Sequence, residues 1–130
     1  MTLPPGKAPD DITASYGIRA RQALIDLRAF IDLGDGLIAQ GRTAYDSCIY
    51  LRLSAEAIVH RVGEAVSRLP ADLIAAHPEI EFSLAKAMRN RIGHQYQSVD
   101  YAVLWQALVV DLPLMSRQIE GLLAAPARFH

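Results

Sequence analysis

The sequence predicts an all-α protein, a bundle of four main helices with one short extra helix. Three observations carry this. Apolar residues recur at spacings of three and four, and β-branched clusters with period two are absent. The length of 130 residues suits one hydrophobic core.

Residues 1–15 are rich in Pro, Asp and Gly without periodicity, and we read them as a flexible lead-in. The domain proper then covers 16–125, leaving 126–130 as a tail. The first helix starts near Arg19 and carries Ala20, Leu24, Leu27, Ile31 and Ile38 near one face. Gly34-Asp35-Gly36 weakens it, since each glycine costs about 1 kcal/mol against alanine, and a bend or end is expected there. Gly41 reads as a stop and Thr43 as the next N-cap. The second helix repeats Leu51, Ala55, Ile58, Val62, Ala65 and Leu69. Small residues along it, Gly63 among them, permit close helix approach. Pro70 opens a short helix from Ala71 to His77, and Pro78 ends it. The third main helix runs from about Glu81 to Ile92 or just beyond, with Gly93 as its natural break. The last follows Asp100, an N-cap residue, and carries Leu104, Leu108, Leu112, Met115, Ile119 and Leu122. Pro113 must kink or interrupt it.

Composition excludes several classes. A 52% hydrophobic, 21% charged chain is no disordered tail. A formal charge of −1 rules out a bulk-electrostatic nucleic-acid binder. One cysteine, Cys48, rules out an internal disulfide framework and a cysteine-built zinc site. No apolar run approaches the roughly 20 residues of a membrane span. The first residues lack the apolar core of a secretory signal, so a cytoplasmic location is expected. Charge is also unevenly placed. From Phe82 to Val99 there are Lys86, Arg89, Arg91 and His94 but no acidic residue, which suits binding of an anion at that place. Eleven of the thirteen cations are arginine, whose planar fork matches phosphate or carboxylate, although a GC-rich coding sequence also gives that bias.

Reactive residue types crowd together only in Met88-Arg89-Asn90-Arg91-Ile92-Gly93-His94-Gln95-Tyr96. Arg89 and His94 are five apart and diverge by about 140° on an ideal helix. A break at Gly93 would swing the imidazole back over the helix end. An arginine that holds a phosphate beside a histidine that moves protons suffices for RNA cleavage without a metal. The plain structural alternative is a helix terminus capped by His94, with Arg89 and Arg91 solvated.

This stretch resembles the HEPN superfamily motif, an arginine, a polar residue, a few more residues and a histidine. The HepT branch adds a tyrosine two residues after the histidine, and Arg89, His94 and Tyr96 fit that pattern. The likeness extends over about 19–124. It includes Val62-Gly63-Glu64-Ala65-Val66-Ser67-Arg68-Leu69-Pro70, the His77-Pro78-Glu79-Ile80 turn, and Ser98-Val99-Asp100-Tyr101 with Trp105 and Asp111-Leu112-Pro113. One departure is Glu81-Phe82, where relatives commonly carry a tryptophan.

The resemblance implies a HEPN-type helical dimer, the toxin of a type VII-like toxin–antitoxin module. Its partner would be a minimal nucleotidyltransferase that neutralises it by AMPylation, and its substrate RNA. It further implies Arg89 and His94 as the catalytic pair and Tyr96 as the AMP acceptor. Asn90, Arg91, Glu64 and Lys86 support them, with neither metal nor cofactor. Two rival readings stay open: a non-catalytic module binding a nucleotide or RNA in the same groove, and a structural partner that is only an AMPylation substrate.

Weaker constellations remain. Glu56, His60 and Glu64, extended by Arg52 and Arg68, share one helix face and form a metal site, an anion site or a solvated salt-bridge ladder. Cys48 reads as a buried spacer, and Tyr101 and Trp105 as core or dimer-interface aromatics. His77 and His130 lack ligand partners in sequence.

Overall fold

The computed structural model describes residues 11–94 and 99–125, with Gly93 and His94 described by their place on a helix alone. Every element among them is helical: α1 (Asp11–Tyr16), α2 (Ile18–Ile38), α3 (Arg42–Ser47), α4 (Ile49–Ser67), α5 (Ala71–Ala76), α6 (Phe82–His94), α7 (Tyr101–Gln106) and α8 (Leu112–Ala124). A π-helical turn, Ala107–Asp111, joins the last two. The expected main helices correspond to α2, α4, α6 and the α7–α8 run, and the expected short one to α5. No described helix is long and apolar enough to cross a membrane.

The lead-in expectation needs correction, because α1 occupies part of it. Ile12 is fully buried in the core. The Asp11 amide donates to the Ala125 carbonyl at 2.9 Å, tying the start of α1 to the end of α8. A single anchoring isoleucine among polar residues gives no periodic signal, which is why the pattern misses it. Gly17, at φ 93°, then turns the chain into α2, a left-handed backbone that favours glycine.

α2 does not end at its glycines. Gly34 is buried, and a Cβ there would lie 3.1 Å from Leu108 Cδ2, so close packing replaces the lost propensity. The next cap is Gly41, at φ 92°, one residue before α3 begins, so Thr43 lies inside the helix rather than capping it. Cys48 is extended (φ −125°) and only half-buried, a link between α3 and α4 and not a buried spacer.

α4 lies at the centre, packed against α2 on one side and α6 on the other. Its buried row is Ala55, Val59, Val62, Gly63, Ala65 and Val66. Phe82 is fully buried at the start of α6, so the aromatic core position survives its departure from tryptophan. The Asp100 carboxylate accepts from the Ala102 and Val103 amides and caps α7, as expected. Pro113 brings no amide hydrogen and a ring that crowds the carbonyl four residues back; the interruption takes the form of the preceding π turn.

Tyr45 is fully buried, stacks on Trp105 with centroids 4.9 Å apart, and donates to the Tyr101 carbonyl at 2.7 Å. These contacts fasten α7 to α3, and Trp105 and Tyr101 are half-buried against the core, a place that suits either a core or an interface aromatic.

Candidate functional site

α6 presents Arg89 to α4 because α4 lacks a side chain at Gly63. A Cβ built there would overlap Arg89 Cβ and come within 3.0 Å of Arg89 Cγ and the Ala85 carbonyl. The arginine stem lies in that gap. Its head is then held on three sides. Nη1 donates to Glu64 Oε1 and to Ser67 Oγ, both at 2.8 Å. Nη2 and Nε donate to Asn90 Oδ1 at 2.8 and 3.2 Å. The Ser67 hydroxyl itself donates to the Gly63 carbonyl at 3.1 Å. With the Arg89 side chain only 19% exposed, these charge-assisted bonds are partly sheltered from water.

Glu64 is shared, since His60 Nε2 lies 3.9 Å from the same Oε1. The row on α4 is therefore not a ladder along one helix. Glu56 accepts from the Tyr101 hydroxyl at 2.8 Å, Arg68 pairs with Asp26 of α2 at 3.2 Å, and Arg52 donates to the Tyr45 and Asp46 carbonyls at the end of α3. Four of its five members bind other helices. Together α2, α4 and α6 flank a groove of about 830 Å³ lined by His60, Arg61, Glu64, Ser67 and Arg68 among others. Arg61 stacks over the Phe30 ring at 5.9 Å on its rim.

The cations of α6 do not form one patch. Arg89 lies against α4, whereas Arg91 lines a slot of about 40 Å³ with Met88, Ile92, Val99, Val103 and Leu104. Two residues turn a helix by about 200°, so Arg91 faces away from Arg89. Lys86 and Asn90 are exposed. The helix continues through Gly93 to His94, so the break expected at Gly93 is not there. Positions 89 and 94 consequently stay about 140° apart on one chain. Tyr96 lies outside the described residues. Among the described residues, no three His, Cys, Asp or Glu side chains group as a metal-binding set.

The close approach expected at Gly63 is found, whereas Ser67, named only as part of the resembling stretch, was not assigned to the site. Their signal was present, because a glycine inside a strongly periodic helix needs a packing reason, and Ser67 follows it by one helical turn. Which groups would face them was not in the pattern.

An all-helical bundle with an arginine of its third main helix buttressed against the second defines the class, a HEPN-type fold. The family model described as "Ribonuclease HepT-like" matches residues 38–122, and the chain belongs to that family. Relatives include "Probable ribonuclease HepT" of Thermococcus cleftensis, 36% identical over 61 residues (47% of this chain, 56% of that one). "Putative RNase MJ0125" of Methanocaldococcus jannaschii is 32% identical over 62 residues, 48% and 53% of the two chains. "Putative RNase MJ0127" of the same organism is 23% identical over 106 residues, 75% and 88%. The chain spans about half the length of the first relatives it matches. No solved structure matches it.

Proposed function

We propose that this chain is a metal-independent endoribonuclease and the toxin of a type VII-like toxin–antitoxin module, acting in the cytoplasm on RNA. The observation that supports it most is the fixed Arg89 guanidinium beside an open groove, in a chain of the HepT-like family. In this reading the 2′-oxygen attacks the adjacent phosphorus and the bond to the 5′-oxygen breaks. His94 takes the 2′-hydroxyl proton or delivers one to the leaving oxygen, and Arg89 stabilises the charge growing on the phosphate. The products are a 2′,3′-cyclic phosphate and a free 5′-hydroxyl.

Two positions about 140° apart on one helix do not meet on one phosphate. Pairing two copies supplies Arg89 and His94 from different chains, so a homodimer or higher oligomer belongs to this reading. A cognate minimal nucleotidyltransferase would transfer AMP to Tyr96. The added phosphate carries the charge of the substrate backbone and competes for the same cations, so inhibition needs no conformational change.

Purified chain should cleave single-stranded RNA in EDTA, and Arg89→Ala and His94→Ala should abolish this with the fold intact. Cleavage lost in EDTA and restored by magnesium would refute the chemistry. RNA binding without cleavage would favour the non-catalytic module. Coexpression with a nucleotidyltransferase from a neighbouring reading frame should add AMP to the wild type and not to Tyr96→Phe. AMP on another residue would overturn the regulatory half.

A further inference from the structure

A guanidinium has five N–H donors in a fixed plane. Four of Arg89's are taken: two by Glu64 and Ser67 at Nη1, and two by the Asn90 amide oxygen at Nε and Nη2. Among the described residues, one Nη2 hydrogen is left without an acceptor. Arg89 as it stands cannot meet a phosphate as a two-pronged fork.

The holders are themselves held. Ser67 spends its hydroxyl hydrogen on the Gly63 carbonyl, which leaves its lone pairs for Arg89. Gly63, Glu64 and Ser67 occupy one side of α4 through helical spacing, so a single helix supplies the gap for the stem, the countercharge and the neutral acceptor. Torsional freedom of the arginine is removed before any substrate arrives, which is what electrostatic preorganisation requires.

We infer that Glu64 and Ser67 are positioning residues for Arg89. They fix its plane so that it meets the scissile phosphate end-on, through the remaining Nη2 hydrogen. Glu64 in addition lowers the net positive charge of the site, trading substrate affinity for orientation. The inference rests on the reading of Arg89 as a catalytic group.

The test uses the full chain and a short single-stranded RNA that the wild type cleaves, with the 2′-deoxy version of that RNA for binding. Ser67→Ala should lower kcat roughly 3- to 10-fold, the loss of one hydrogen bond, with KM and melting temperature unchanged. Ser67→Thr, which keeps the hydroxyl, should restore kcat. Glu64→Ala should lower kcat by more than about 10-fold, the loss of a charge-assisted bond. Glu64→Gln keeps an acceptor oxygen without its charge, and should bind the 2′-deoxy RNA several-fold tighter than wild type. The Arg89 Nε–H resonance should be sharp in the wild type and broadened in Ser67→Ala and Glu64→Ala, a readout independent of catalysis.

Wild-type kcat and an unchanged resonance in both alanine variants, with Arg89→Ala inactive, would overturn the inference alone. A melting temperature that falls in Ser67→Ala, with no rescue by threonine, would also overturn it. Full cleavage by Arg89→Ala would instead overturn the proposed function.

Discussion

Gly63→Ala puts one methyl group into the tightest surroundings of any described glycine. Its Cβ would overlap Arg89 Cβ and lie 3.0 Å from both Arg89 Cγ and the Ala85 carbonyl. Carbon contacts settle near about 3.5–4.0 Å, so α6 must back away from α4 by on the order of 1 Å. The colliding atoms are backbone or fixed to it, so overpacking costs about 3 kcal/mol, the upper part of its usual range. Alanine recovers about 1 kcal/mol of helix propensity. The net loss of about 2 kcal/mol lowers Tm by roughly 6–8 °C in a domain of this size. Catalysis should suffer more, about 100-fold, because a displacement on the order of 1 Å breaks the hold on Arg89. Gly36→Ala is the control. Nothing lies within 4 Å of its added Cβ, so it should be more stable by about 1 kcal/mol and cleave RNA like the wild type. Calorimetry and initial-rate RNA cleavage read both effects. A Gly63→Ala protein that melts at or above the wild-type temperature and cleaves normally would refute the close-approach argument.

Three further outcomes are expected. Ile12→Ala should cost about 2–5 kcal/mol, measured by urea titration, because the side chain is fully buried; a value under 0.5 kcal/mol would return α1 to the status of a lead-in. Asp100→Ala should cost about 1 kcal/mol through loss of the two capping bonds to α7, whereas Asp100→Asn should cost little. The Tyr45 hydroxyl is pushed up to about 12, first by burial and then by the Tyr101 charge, so its folded value lies above the unfolded one of 10.0. Its contribution is therefore complete below pH 10.0 and lost as pH rises toward about 12; alkaline unfolding should be shallower in Tyr45→Phe, and an unchanged alkaline limb would refute this.

The main helices were legible because their signals are repetitive. Leu24, Leu27 and Ile31 on α2, and Val62 and Ala65 on α4, recur at intervals that only a helix can place on one face. Asp100 was legible because capping depends on residue type and on one local offset. What escaped notice depends on a partner far along the chain. Gly34 looks like a weak point until Leu108 lies over it, and the close approach expected at Gly63 did not say that Arg89 would fill it. The same holds for the site. Arg89 and Glu64 were named from the motif and the resemblance, and they meet at 2.8 Å. Arg91 was grouped with Arg89 by closeness in sequence, although helical rotation turns it toward α7. Local charge counts carry no angle, and the angle decides which cations share a ligand.

The π turn changes the phase of the chain at one place. Leu104, Leu108 and Leu112 are all buried, and steps of four on an α-helix advance by about 40° each, so all three fit one apolar stripe. The Ala107–Asp111 turn adds backbone beyond an α-helical turn, after which Met115 and Ile119 continue on the buried side. In effect the run from α7 to α8 is two α-helical registers spliced by one surplus residue. Removing a residue such as the exposed Val110 would leave every side chain in place chemically and rotate all of α8 against the bundle. The Asp11–Ala125 tie at its far end would then no longer meet. The apolar spacing of 4, 4, 3 and 4 from Leu104 to Ile119 would keep one face on an unbroken α-helix as well, so the change of register is written in the backbone and not in that pattern.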